Sequence, residues 1–207
     1  MRKSTIPFLL ISFLLVVSCG VNPIKGLPKV EADSKTVSNP YFSNPKTDYV
    51  YRAKISVYGH ELGGILIAKK INDSVHRLVL TTDFGNKLID VELGENSFKV
   101  NNIVDELNRK ILINTLREDF RLLLKKEYAV SGEFIEGDNK VYQSIEANSF
   151  YHLFYTAKNS LYKLVKGSKR KQRITVLFTS ENNIFADRVI IRHSNIKLEI
   201  ELNTLAQ

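Results

Sequence analysis

Four histidines, one cysteine and a few neighbouring acids are the groups in this chain that could ligate a metal, attack an electrophile or move a proton. His60, His76, His152 and His193 are spread along the chain without the short spacings of a zinc site, and the single cysteine, Cys19, stands far from all of them. There is no Gly-x-Ser-x-Gly elbow, no phosphate loop and no glycine-rich dinucleotide turn. The glycines of Gly59-His60-Glu61-Leu62-Gly63-Gly64 lead into a strand pattern, so no amides of a helix start are on offer to a phosphate there. Glu118 and Asp119 are adjacent on a helical pattern, where neighbouring side chains point apart. Two distant acids of the glycosidase kind leave no trace in a sequence, and nothing argues for them. The expectation is a protein without a catalytic site, metal or cofactor.

Cys19 asks for a different explanation. Arg2 and Lys3 precede an apolar run from Ile6 to Val17, and Ser18, Cys19 and Gly20 close it, the three-part layout of a secretory signal. The run is shorter than the roughly 20 apolar residues that span a bilayer. Val16-Val17-Ser18-Cys19 resembles a bacterial lipobox, which implies that residues 1–18 are removed and that Cys19 becomes an acylated amino terminus. The plainer alternative is an ordinary signal with a chance cysteine. A lone cysteine has no partner in its own chain, whereas two or more acyl chains anchor a protein stably to a membrane. Loss of Arg2 and Lys3 lowers the formal charge from +8 to +6. A basic export product suits anionic surfaces, and export makes membrane rather than nucleic acid the expected partner.

All five prolines lie at or before Pro45, and residues 19–47 are rich in Pro, Ser, Asn and Lys without helical or strand periodicity. Composition reads this stretch, after its lipidated cysteine, as a flexible linker reaching roughly 30 Å. The alternative is that Val30–Val37 packs on the domain as an irregular strand. Residues 48–207 then form one domain of ordinary size.

Within it, turn signals such as Asn72-Asp73-Ser74, Asp83-Phe84-Gly85-Asn86, Gly137-Asp138-Asn139 and Ser194-Asn195 separate strand-length segments rich in Val, Ile, Tyr and Phe. Ile196–Leu202 alternates apolar and charged residues, and Ile174, Val176 and Phe178 alternate likewise, as half-buried strands require. Gly64–Ala68 and Val189–Ile191 are apolar on both faces and need cover. Residues 104–126 supply a helix with Leu107, Ile111, Leu116, Phe120 and Leu123 or Leu124 on one side, and Arg109, Lys110, Arg117 and Lys125 largely on the other. Asp105 and Glu106 near its start and Lys125 and Lys126 near its end suit the helix dipole. The expected fold is mainly β (α+β): a curved antiparallel sheet of about ten strands forming an open half-barrel, its concave face covered by the helix.

The hairpin LVLTTDFGNKLIDVEL (78–93) and the helix VDELNRKILINTLREDFRLLL (104–124), behind an acylated terminus, resemble the LolA/LolB-like half-barrels of bacterial envelope lipoproteins. That resemblance implies an apolar cavity for acyl chains, walled here by Ile65, Ile67, Leu80, Leu107, Ile111, Leu116 and Phe120; the alternative is that these make a dry core. It also implies that Phe84, at a hairpin tip, touches a membrane or partner, unless it folds back over the barrel end. Lys166–Arg173 places five basic side chains around a turn, with Lys169, Arg170 and Lys171 at its centre, either for lipid phosphates or as a solvated edge. The function implied is a lipid-anchored periplasmic binding protein that holds or transfers a lipid or acylated protein at the outer membrane. The rival is an assembly subunit of an envelope protein complex with no small-molecule ligand.

Overall fold

The computed structural model describes residues 22–72, 74–182 and 184–205; Cys19 and the signal segment 1–18 lie outside the described residues. Two short strands, β1 (Lys29–Val30) and β2 (Thr36–Ser38), precede a five-stranded meander of β3 (Tyr49–Val57), β4 (His60–Lys70), β5 (Val75–Thr81), β6 (Lys87–Gly94) and β7 (Phe98–Ile103). Helix α1 (Lys110–Leu124) and β8 (Glu127–Ala129) follow. The chain ends in β9 (Gly132–Glu136), β10 (Asn139–Glu146), β11 (Ser149–Tyr155), β12 (Leu161–Gly167), β13 (Gln172–Thr179), β14 (Arg188–His193) and β15 (Leu198–Thr204).

Thirteen strands, rather than about ten, form one sheet in the order β1-β9-β10-β11-β12-β13-β14-β15-β3-β4-β5-β6-β7, every pair antiparallel. The two halves of the chain meet where β15 pairs β3, from Leu198 opposite Val57 to Thr204 opposite Tyr51. Among the described residues the sheet does not close, and β1 and β7 are its edges. It does curl. Leu93 of β6 and Tyr151 of β11 line the same cleft beside α1, although eight strand spacings, about 38 Å in a flat sheet, separate their strands.

Strict alternation sets the inner face: Tyr49, Tyr51, Ala53, Ile55 and Val57 of β3, Ile174, Val176 and Phe178 of β13, and Leu198, Ile200 and Leu202 of β15 are all buried. In β4 the buried side is Gly64, Leu66 and Ala68. Gly64 is required there, because a Cβ would stand 1.7 Å from the carbonyl oxygen of Thr81, where β5 ends against it. Helix α1 packs Leu112, Leu116, Phe120 and Leu123 into the same core as the inward strand residues, each buried Leu contributing about 1.5–3 kcal/mol. Its first turn has no acid and its N-cap, Arg109, makes no side-chain cap. Tertiary burial therefore holds this helix more than its termini do. The helix begins later than the pattern predicts: Asp105 and Glu106 fall in the turn before it and do not address its dipole. Among the described residues no helix is long and apolar enough to cross a membrane.

Residues 29–47 are not a free tether. β1 pairs β9, with Lys29 opposite Phe134, and β2 pairs β8, with Val37 opposite Tyr128. Between them Asp33 accepts a hydrogen bond from Tyr142 Oη (3.0 Å) and pairs with Lys140, while its backbone N–H donates to the buried Glu133 (2.9 Å). Lys140 and Tyr142 hold the Asp33 carboxyl below its ordinary pKa. Asn39 then turns the chain inward, donating to Leu123 O (3.1 Å) and accepting from Tyr41 N (3.0 Å). Tyr41 and Phe42 enter the core behind it. The polar composition of the segment hid these anchors, because its few apolar residues have no period of their own.

Candidate functional site

The curl leaves a cleft of about 630 Å³ where the last two turns of α1 face strand ends from both halves of the sheet. Such a volume lies within the usual range for small-molecule sites. Leu122 and Leu124 of the helix, Leu93 of β6 and the Tyr151 ring of β11 give it an apolar lining. Its polar groups come in layers. Lys125 donates to both oxygens of Glu146 at 2.7 Å and sits 5.0 and 5.6 Å from the ring centroids of Tyr128 and Tyr151. Lys166 stands 3.7 Å from Glu118. His76 lies at the β5 side, where burial, with Lys70 adding to it, holds its pKa below the ordinary value. Glu95 of the turn after β6 and Arg121 of α1 complete the lining.

No protein-family model matches the sequence, and no curated protein matches it significantly. Among solved structures, a LolA superfamily protein from Nitrosomonas europaea superposes with a TM-score of 0.51 over 80% of this chain and 87% of that one, at 10% sequence identity. The fold is LolA-like. A DUF1329 family protein from Desulfovibrio piger superposes with a TM-score of 0.41 over 75% of this chain and 82% of that one, at 9% identity. At such identities the likeness is one of fold alone.

The LolA-like frame sorts the residues expected to wall a cavity. Leu80, Leu107, Leu116 and Phe120 are fully buried in the common core, and none of them lines the cleft. Ile65 and Ile67 point away from that core: β4 buries Gly64, Leu66 and Ala68, and a period of two sends the residues between them to the other face, leaving Ile67 37% exposed. Ile111 is 57% exposed, because within α1 it stands five residues before Leu116, well off the buried stripe, and Leu112, four residues before Leu116, takes the inward position. Phe84 is 94% exposed in the β5–β6 turn. Lys169, Arg170 and Lys171 are exposed in the β12–β13 turn. Antiparallel register puts these two turns, with the β14–β15 and β3–β4 turns, on one rim of the sheet.

Sequence reasoning missed two features. Arg121 lines the cleft but was not singled out on the helix's polar side. Asp119, on the buried side of α1, meets His193 of β14: His193 Nε2 lies 2.8 Å from Asp119 Oδ1, and Nδ1 lies 2.9 Å from Leu198 O. A carbonyl only accepts, so Nδ1 carries a proton; the contact between Nε2 and Oδ1 then needs one proton between them, shared by a pair with no net charge. Burial pushes the Asp119 carboxyl up. Against burial, the hydrogen bond and charge of Asp119 raise His193. Seventy-four positions separate the two residues, and no local pattern joins them.

Proposed function

We propose that this chain is a binding protein of the bacterial envelope that holds or passes on a lipid or acylated protein, anchored through acylated Cys19 in the outer membrane and facing the periplasm. The observation that carries the reading is the cleft, where Leu93, Leu122, Leu124 and Tyr151 give apolar contact beside α1 in a LolA-like fold. Binding there is burial of acyl chain against α1, at about 0.8 kcal/mol per methylene. Exchange then follows relative affinity and uses no chemical step. The exposed Phe84 and the basic turn at Lys169, Arg170 and Lys171, on one rim, are the surfaces proposed to meet the membrane or the acylated partner.

A chain from Gly20 to Gln207 keeps every described element and suits the test, whereas one starting at residue 48 would lose Tyr41 and Phe42 from the core. Expressed in a bacterial periplasm and purified without detergent, it is expected to carry stoichiometric phospholipid or fatty acid, read by mass spectrometry of the organic extract. Leu124→Glu, at a half-buried position, is expected to lose the lipid while keeping the circular dichroism of the parent. A lipid-free parent that crosslinks stoichiometrically to one envelope protein would overturn the reading in favour of an assembly subunit.

A further inference from the structure

The reading of the cleft as a lipid site leaves the ligand's head undefined, and the inference that follows rests on that reading. Arg121 lines the cleft from the last turn of α1. Its Nε is buried with no hydrogen-bond partner, and its guanidinium makes no ion pair among the described residues. A guanidinium stays charged at any physiological pH, and leaving a charged donor buried without an acceptor costs more than a neutral one. The neighbours do not answer it. Glu146 is held by Lys125 and Glu118 stands nearer Lys166, while the exposed Glu95 makes no bond to Arg121.

The helix itself concentrates positive charge here. Arg117, Arg121 and Lys125 follow one another at i, i+4 and i+8, which stacks three cations on one stripe, and like charges at that spacing destabilise a helix. Arg117 Nε is also buried without a partner. A stripe whose middle cation is unanswered, bordering an apolar lining, has the chemistry of a site for a molecule with an anionic end and an apolar end.

We propose that the cleft takes an amphiphile with a carboxylate or phosphate head, the head paired with Arg121 and the chain laid along Leu93, Leu122 and Leu124. Guanidinium forks match both head groups bidentately. This separates the ligand from a neutral lipid and from the neutral acyl chains of an acylated protein.

Titration of the Gly20–Gln207 chain, stripped of co-purified lipid, with dodecyl phosphate, dodecanoate and dodecyl maltoside below their micellar concentrations tests it. Both anionic probes are expected to bind at least about tenfold more tightly than the maltoside, the range of one charged hydrogen bond. Arg121→Gln is expected to abolish that preference while leaving maltoside affinity unchanged, and Arg121→Lys to retain part of it. Equal binding of all three probes would overturn the anionic head and leave the lipid-binding reading standing. Binding of none would overturn both. Inorganic phosphate binding as tightly as dodecyl phosphate would overturn the amphiphile in favour of a simple anion site.

Discussion

Tyr41→Ala decides whether the segment before β3 is a tether or part of the folded body. Tyr41 is 1% exposed, its ring centroid lies 4.8 Å from that of Phe178, and its hydroxyl donates to Leu161 O at 3.0 Å. Truncating a buried aromatic costs about 3–5 kcal/mol, transfer and cavity together. Loss of the hydroxyl leaves the Leu161 carbonyl short of a donor, which places the expected value toward the upper part of that range. Urea unfolding of the Gly20–Gln207 chain measures it. With a slope of about 2 kcal/mol per molar, the midpoint is expected to fall by about 2 M with the slope unchanged. Lys35→Ala, an exposed position in the same segment, is the control and is expected to change stability by less than about 0.5 kcal/mol. A loss below about 1 kcal/mol for Tyr41→Ala would refute the packing of Tyr41 in the core and restore the tether.

Two buried groups give further expectations. Burial pushes His152 down to about 4; its Nε2 accepts from the Gln143 amide at 3.1 Å and its Nδ1 is buried without a partner. An unfolded histidine titrates near about 6.5, so as pH falls from there the unfolded chain takes up the proton first. Stability is full above about 6.5 and declines until about 4, by about 3 kcal/mol in all. His152→Leu is expected to remove that component from urea midpoints compared at pH 7 and pH 4, and an unchanged pH dependence would refute it. For Asp119 and His193, replacing either by Leu is expected to cost about 3–5 kcal/mol, while the double replacement costs clearly less than the sum. Additive losses in that cycle would show that the pair is not coupled.

What the sequence made legible, and what it did not, follows from which interactions have a period. Alternation over Arg173–Thr179 and Ile196–Leu202 placed Ile174, Val176, Phe178, Leu198, Ile200 and Leu202 on the buried side: Lys197, Glu199 and Glu201 leave only one face of the last strand to bury, and Arg173, Thr175 and Thr179 mark the outer face of the other. Gly64–Ala68 carries no such neighbour. Either face could have turned inward, and the side that did carries Gly64, where a Cβ would meet the Thr81 carbonyl, a contact between strands that composition does not record. The helix was visible from Leu116 onward, yet its start was not: Leu107 and Ile111 keep a spacing of four across a turn at 105–109 that is not helical, while inside the helix Leu112, four residues before Leu116, is buried and Ile111, five before it, is not. The site depends on still longer connections. Leu93 and Tyr151 share a cleft because the sheet curls, and Asp119 and His193 meet across 74 positions because α1 crosses that curl. The sequence reading placed Arg117 and Lys125 on the polar face of the helix and passed over Arg121 between them. The meaning of Arg121 needed the observation that Glu146 and Lys125 satisfy each other while Arg121 is left without an acceptor. Charge spacing announces a polar helix face, and the partners that other strands bring decide which of its members remain to bind a ligand.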